Sequence, residues 1–285
     1  MTSLLLLDKP EGLTSFSAVA RARRILGIKK AGHTGTLDPM ATGVLPILLG
    51  GATRFSELLP SHDKAYVAGI RLGITTDTLD ITGQVLEERP VSVTREEIEQ
   101  ALGQFRGKIR QVPPMYSAKS QGGQRLYELA RQGIEVEREA RAVEIFTLDL
   151  LDEANIYVEC SAGTYIRSLI DDLGRALGCG ACMSSLRRTK ANGYGIERCV
   201  TLEQLEQGSD AGFIALDQAL ASYPAVHITP TQAVRFRNGG ALDLTRVQIQ
   251  NPAEGTLHRV YGEEPFLGLG RIQGGELAIA RLLTQ

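Results

Sequence analysis

Gly32-His33-Thr34-Gly35-Thr36-Leu37-Asp38-Pro39-Met40-Ala41-Thr42-Gly43, followed at once by Val44-Leu45-Pro46-Ile47-Leu48-Leu49, is the stretch on which the reading of this chain turns. Glycine or proline at four of its positions is incompatible with a helix interior or a central strand. It runs directly into an apolar segment, so it reads as a shaped loop at the edge of a core rather than a polar linker. A rigid loop of this kind can hold one carboxylate, Asp38, beside buried structure and present it for chemistry. An Asp-Pro turn whose carboxylate only caps a local amide fits the same residues. Taken alone, the stretch leaves both readings open.

Working outward, the chain has 285 residues, 43% of them apolar. That is enough for one large domain, or for one of about 200 residues and a smaller companion, and it argues against disorder. The longest apolar runs, Leu4 to Leu7 and Val44 to Leu49, fall far short of a membrane span. The four leucines reach Asp8-Lys9 with no basic lead-in and no small-residue cleavage site, so a signal peptide is not expected and a cytoplasmic location is. The net charge of −2 does not itself point to nucleic acid, but its distribution does. Between Gln100 and Tyr127 there is no acidic residue, while Arg106, Lys108, Arg110, Lys119 and Arg125 are present. Segregated positive charge of this sort suits a polyanion. Cys179-Gly180-Ala181-Cys182 lacks the second close pair that a zinc ribbon needs, Cys160 and Cys199 being isolated, so reduced buried thiols are expected and no metal site.

In chain order, Leu4 to Leu7 reads as a buried strand and a helix starts near Thr14 or Ser15, with Val19, Ala22 and Leu26 facing inward and Gly27 as its stop. Arg21 and Arg24 share another face, and Lys29 and Lys30 follow; their place just before the Asp38 loop suits phosphate contact as well as solvent. Lys64-Ala65-Tyr66 opens a strand, and the loop from Gly73 to Gly83 carries Asp77 and Asp80 without the ligand alternation of a calcium loop. Thr94-Arg95-Glu96-Glu97 is a capping box. The basic segment after it, with Pro113-Pro114, Tyr116 and Tyr127, reads as an arm for a nucleic-acid backbone and its bases. Ala142 to Leu150 and Asn155 to Ser161 form two paired strands, and Gly163-Thr164 leads a helix with Ile166, Leu169, Ile170 and Leu173 inward. Arg167 lies off that stripe, either as an exposed partner of Asp171 or pointing into a cleft. Thr201-Leu202-Glu203-Gln204 predicts a helix running to about Leu220; beyond Tyr223-Pro224 short strands and glycine turns take over, with a domain boundary near Ala225.

Together these motifs resemble the bacterial tRNA pseudouridine-55 synthase family. The resemblance runs through Asp8-Lys9-Pro10-Glu11-Gly12, the Gly32 to Pro39 stretch, Lys64-Ala65-Tyr66, Gly73 to Gly83 and Pro113 to Ala118. It continues through Gly163-Thr164-Tyr165-Ile166-Arg167 and Leu186-Arg187-Arg188-Thr189. It implies an α+β fold over residues 1–225, a mixed and largely antiparallel sheet flanked by helices and loops, with an RNA-binding arm at about 106–140 and a small all-β PUA-like domain at 226–285. The implied activity is isomerisation of uridine to pseudouridine in the T-loop of tRNA, by a monomer without metal, cofactor or obligate protein partner. The resemblance makes Asp38 the nucleophile, Arg167 its cation, Asp77 the carboxylate that positions Arg167, and Tyr66 the aromatic ring stacked on the target base. It places His33 in the T-loop and Lys9, Tyr165 and Leu186 around the pocket. Lys64, Arg187, Arg188, Arg110, Lys119 and Arg125 join these as expected RNA contacts.

Two departures stand out: Lys119 directly follows Ala118 where the family spaces its lysine one residue later, and Cys182 replaces a histidine or aromatic residue. Two other functions compete. Guide-RNA-dependent relatives resemble G-H-S-G-T-L-D-P and carry extra segments for protein partners, whereas Thr34 and Met40-Ala41 fit the stand-alone type. An RNA-binding or RNA-folding protein would use the arm and tail equally well but has no need of Asp38, Tyr66 and Arg167 together.

Overall fold

The computed structural model describes residues 2–283 except 118, 119, 122, 135 and 264, and only the backbone of 120, 121, 125, 127 and 131. Lys119 therefore lies outside the described residues, as do the side chains of Arg125 and Tyr127.

The run of four leucines becomes the Ser3–Lys9 strand, completely enclosed because both sheet faces are covered. Side chains alternate across a strand. Leu5 and Leu7 thus pack with Ala18, Val19 and Ala22 of the Ser15–Ile25 helix, while Leu4 and Leu6 pack with Phe55 and Leu59. Each such leucine contributes about 1.5–3 kcal/mol. The Ser15–Ile25 helix starts where expected, its Thr14 side chain accepting from Ser17 N, and Gly27 takes a positive φ just beyond its end.

The central sheet has ten strands. Its main path runs Phe213–Ala215, Ser3–Lys9, Thr42–Leu49, Ala181–Ala191, Lys64–Leu72, Asn155–Cys160, Arg141–Leu150 and Gly107–Gln111. The sheet is mixed and mostly antiparallel. Thr42–Leu49 and Ala181–Ala191 run parallel, with Arg188 opposite Gly43. Three adjacent strands matter most for the site. Thr42–Leu49 follows the Asp38 loop, Ala181–Ala191 carries Leu186 to Arg188, and Lys64–Leu72 carries Lys64 and Tyr66. The Ile166–Ala176 helix packs on the last two of these, close enough that a Cβ on Gly174 would sit 2.1 Å from the Ala181 nitrogen.

The helix predicted from Thr201 to about Leu220 is shorter than expected. Its capping box forms, but the Leu202–Glu206 helix ends before Gly208, which turns the chain at φ 85°, and Phe213–Ala215 then pairs with Ser3 to Leu5. Edge pairing with the sheet outcompetes continuation of the helix.

A second sheet begins at Ala225–His227 and runs on through Leu257–Tyr261, Phe266–Gln273, Glu276–Leu282 and Leu242–Asp243. This is the expected C-terminal β domain with its hairpin, to which the structure adds one helix, Pro230–Arg237, started by a Thr229/Gln232 capping box with proline in the first turn. Phe236 of that helix is fully enclosed by Val226, Val260, Leu267 and Leu277. Phe266 meets Phe55 across the junction at 6.3 Å, and the Tyr223 hydroxyl donates to Leu58 O at 3.0 Å. No helix among the described residues is long and apolar enough to cross a membrane.

Candidate active site

The Gly32–Gly43 stretch begins as the short strand Ala31–His33 and then leaves the sheet, so Thr34 to Asp38 line a cavity of about 410 Å³. Two internal ties set its path. The Ser15 hydroxyl bonds both the N–H and the carbonyl of Leu37, at 2.7 and 3.0 Å, and the Thr34 hydroxyl donates to Asn192 Oδ1 at 2.6 Å. Lys64, Tyr66, Thr164, Tyr165, Arg167 and Leu186 complete the walls.

Asp38 sits against Arg167 in a two-point contact: Nε to Oδ2 at 3.0 Å and Nη2 to Oδ1 at 3.2 Å. Such paired geometry fixes the plane of a carboxylate as well as its charge. The remaining donors of Arg167 are also engaged, Nη1 with Thr78 O at 2.9 Å and Nη2 with Tyr116 O at 2.8 Å. Arg167 is thus buried and aimed into the cleft; the exposed pairing with Asp171 does not occur, because Asp171 is taken by Arg175 at 2.7 Å. Burial pushes the Asp38 carboxyl above its ordinary value; Arg167 and Lys9 oppose this, and nearby Asp80 adds to it. Roughly a third of the Asp38 side chain is open, on the cavity side.

The second carboxylate is a correction. Asp80, not Asp77, approaches Arg167, with Oδ2 3.6 Å from Nη1. Its Oδ1 ties the turn by accepting from Thr78 and Thr82 hydroxyls and Thr82 N. Asp77 instead accepts from Gln84 N at 2.7 Å, a loop-closing bond. Between the two groups that meet Arg167 Nη1, Thr78 O and the Asp80 carboxylate, Leu79 adopts φ 62°. A left-handed leucine costs about 1–2 kcal/mol, and nothing in the residue type announces it.

Lys9 and Arg188 are corrections of another kind. Both were expected to meet RNA, yet both are fully buried. Lys9 donates to the carbonyls of Pro10, Leu13 and Pro39, holding the loop from beneath. Burial brings its pKa down to about 8, with Asp38 pulling the other way. Arg188 donates to the carbonyls of Val44, Gly35 and Thr36. Arg187 is exposed but occupied by Asp8 at 2.8 Å.

Tyr66 is buried on the cavity wall, and burial raises its phenol pKa against the opposing pull of Arg188. Tyr165 is held by its backbone, Gln111 accepting from its N–H at 2.7 Å and donating to its carbonyl at 2.9 Å, a clamp that the sequence did not reveal. Leu186 supplies an apolar wall. Lys64 lines the cavity and donates to His62 O at 2.8 Å. His33 lies half-buried beside the cavity loop, its Nδ1 buried without a partner among the described residues, and burial followed by Arg188 lowers its pKa and favours the neutral ring. Arg110 is away from this cavity, on an exposed strand, donating to Ala140 O. Among the described residues no group of three or more His, Cys, Asp or Glu side chains is placed to hold a metal ion.

The arrangement can set a carboxylate against a flat ligand bounded by an aromatic ring and an apolar wall. Comparison with known proteins agrees with that geometry. Residues 23–166 match the profile of the TruB family pseudouridylate synthase N-terminal domain, residues 167–226 that of the tRNA pseudouridylate synthase B C-terminal domain, and residues 224–283 that of pseudouridine synthase II TruB, C-terminal. The chain is 47% identical to tRNA pseudouridine synthase B of Azoarcus sp. (strain BH72), across 99% of this chain and 94% of that one. It is 44% identical to the protein of the same name from Citrobacter koseri, across 99% and 95%. Among solved structures it resembles a chain of a Cbf5-Nop10-Gar1 complex, with a TM-score of 0.73, 27% identity, and coverage of 99% and 85%.

Proposed function

The chain belongs to the TruB family of pseudouridylate synthases, and from that premise we propose that it acts in the cytoplasm as a monomer on tRNA, converting the uridine at the pseudouridine-55 position of the T-loop. The reaction breaks the bond from C1′ to N1, turns the uracil, and makes a bond from C1′ to C5; the C5 proton is lost and N1 regains one, so the product is an isomer of the substrate. Asp38 is the nucleophile. An ionised carboxylate serves this chemistry by covalent attack or by stabilising the cation-like sugar, and it then leaves again. The observation that carries the reading is the two-point contact of Asp38 with buried Arg167 at the foot of a cavity walled by Tyr66 and Leu186. Burial opposes ionisation of Asp38, and Arg167 works against that effect while fixing its orientation.

The target base must leave its stack to reach Asp38, and stacking on Tyr66 offsets part of that cost. Tyr66 also lies within the wall from which the C5 proton can be collected late in the reaction. His33, Lys64 and Tyr165 border the cavity loop and face the nucleotides around the flipped base. Arg110 and the arm bearing Lys119 and Arg125 contribute the outer backbone contacts.

Purified protein and an unmodified tRNA transcript, with pseudouridine mapped on the product, test the activity. Asp38→Asn should abolish product while tRNA affinity stays close to wild type; turnover retained in that variant would refute the nucleophile assignment. The likeness to Cbf5-containing complexes favours one other reading, dependence on a guide RNA. Modification of bare transcript excludes it, and a need for added RNA establishes it.

A further inference from the structure

We propose that Arg188 is a positioning residue for this reaction, a buried guanidinium that locks the loop bearing Asp38 to the strand bearing Tyr66. The inference rests on the roles just given to those two residues. In the central sheet, Arg188 has Gly43 as its partner on one side and Tyr66 on the other. The register with Lys64–Leu72 slips between Arg188 and Lys190, a bulge of the kind that re-aims a side chain. The aim is toward the loop. Nε donates to Val44 O at 2.6 Å, Nη2 to Gly35 O at 3.1 Å and Nη1 to Thr36 O at 3.4 Å. Tyr66, the residue paired with Arg188 on the neighbouring strand, feels the guanidinium as a pull that lowers its phenol pKa against the effect of burial.

Two glycines make room for this. A Cβ on Gly43 would lie 2.2 Å from Arg188 O, and one on Gly35 would lie 3.2 Å from Lys64 Cε and 3.7 Å from Arg188 Nη1. Arg188 forms no ion pair among the described residues although it is fully buried and close to Lys9, His33 and Lys64. A buried charge without a counter-ion is costly to maintain. A surface RNA contact would not require this burial, and a simple loop brace would not require a place beside Tyr66 in the sheet. What the arrangement does provide is a fixed spacing between the carboxylate that attacks and the ring that holds the base. Small errors in such spacing slow a reaction by about 10²-fold without weakening substrate binding.

The test uses the full chain with Arg188→Met and Arg188→Lys, assayed in single turnovers on tRNA transcript. Arg188→Met should lower the rate by about 10²-fold with tRNA affinity within about twofold of wild type, and Arg188→Lys should recover part of the rate because an ammonium still reaches some of the carbonyls. Combined with Tyr66→Phe, either variant should lose less than the product of the two single losses. If Arg188→Met does not fold, the Arg188→Lys cycle decides alone. Weakened tRNA binding with an unchanged rate would make Arg188 an RNA contact, and fully multiplicative losses would show that it does not act through Tyr66; either overturns the proposal. Binding is measured separately from turnover. A wild type that binds tRNA but makes no pseudouridine would therefore count against the chemistry, and weaker binding by Arg188→Lys against the positioning role.

Discussion

Arg167 is the residue on which the electrostatics of the site depend. Burial and Asp80 both raise the Asp38 pKa, while Arg167 is the largest influence lowering it. If the ionised carboxylate is the reactive form, as proposed, activity should be lost as pH falls through the Asp38 pKa. Removing Arg167 removes that downward pull, so the acid limb moves to higher pH. Arg167→Met should show this shift in kcat/KM between pH 5 and 9, together with a rate reduced by about 10²-fold or more; an unmoved limb would mean that Arg167 does not set the charge of Asp38. The two loop carboxylates provide a sharper contrast. Asp80→Asn removes a charge beside Arg167 and should slow turnover by about tenfold or more, whereas Asp77→Asn keeps an oxygen for Gln84 N and should stay within about twofold of wild type. Equal effects would contradict the observed geometry. That Asp38, Tyr66 and Arg167 meet at one cavity was legible because each lies in a short motif with its own recognisable neighbours. The choice between Asp77 and Asp80 was not, since both lie in one loop and only its folded path brings Asp80 to Arg167. The burial of Lys9 and Arg188 was equally hidden, because charged residues are exposed by default and only the crossing of distant strands encloses these two.

At the scale of elements, periodicity and capping boxes revealed the Ser3–Lys9, Lys64–Leu72, Arg141–Leu150 and Asn155–Cys160 strands and the Ser15–Ile25 and Ile166–Ala176 helices, but not Ala181–Ala191 in the middle of the sheet. They failed where a distant partner decided the outcome. Phe213–Ala215 follows a capped helix that an isolated segment could have extended, but the free edge of Ser3–Lys9 claims it. The Pro230–Arg237 helix was missed despite its capping box, because short strands and glycine turns surround it. The site itself depends on how closely elements approach. Gly43 has φ 102°, and a Cβ there would stand 2.2 Å from Arg188 O, where two backbones run side by side. Gly12 also has a positive φ, 82°, but nothing lies within 4 Å of its missing Cβ. Both alanine substitutions carry backbone strain, and only Gly43→Ala adds a collision. Gly43→Ala should therefore destabilise the chain by about 2–4 kcal/mol in urea unfolding, against about 1 kcal/mol for Gly12→Ala. Similar losses would show that the strands can separate without penalty at Gly43.

For the whole molecule, a net charge of −2 conceals a polarised surface. From Gly12 to Ser56 the sole acidic residue is Asp38, which faces the cavity. The same span exposes Arg23, Arg24, Lys29, Lys30 and Arg54. Arg21, one turn earlier, is engaged with Glu206 and so adds less to the field. The first four lie together, at the end of the Ser15–Ile25 helix and just before Ala31–His33, which leads into the cavity loop. An extended chain rises about 3.3 Å per residue, so Lys29 and Lys30 stand within roughly 15 Å of the loop, a distance spanned by two or three phosphates of a bound strand. Ordinary solvated charges would contribute nothing to RNA affinity beyond a weak general attraction. Phosphate contacts would release counter-ions, with a slope of about 0.7 to 0.9 per contact in log K against log salt. Replacing Arg23, Arg24, Lys29 and Lys30 with glutamine should lower that slope by about 3, weaken tRNA binding at physiological salt, and leave turnover at saturating tRNA unchanged, since none of the four borders the cavity. An unaltered slope would return this face to the solvent and leave the outer contacts to the arm.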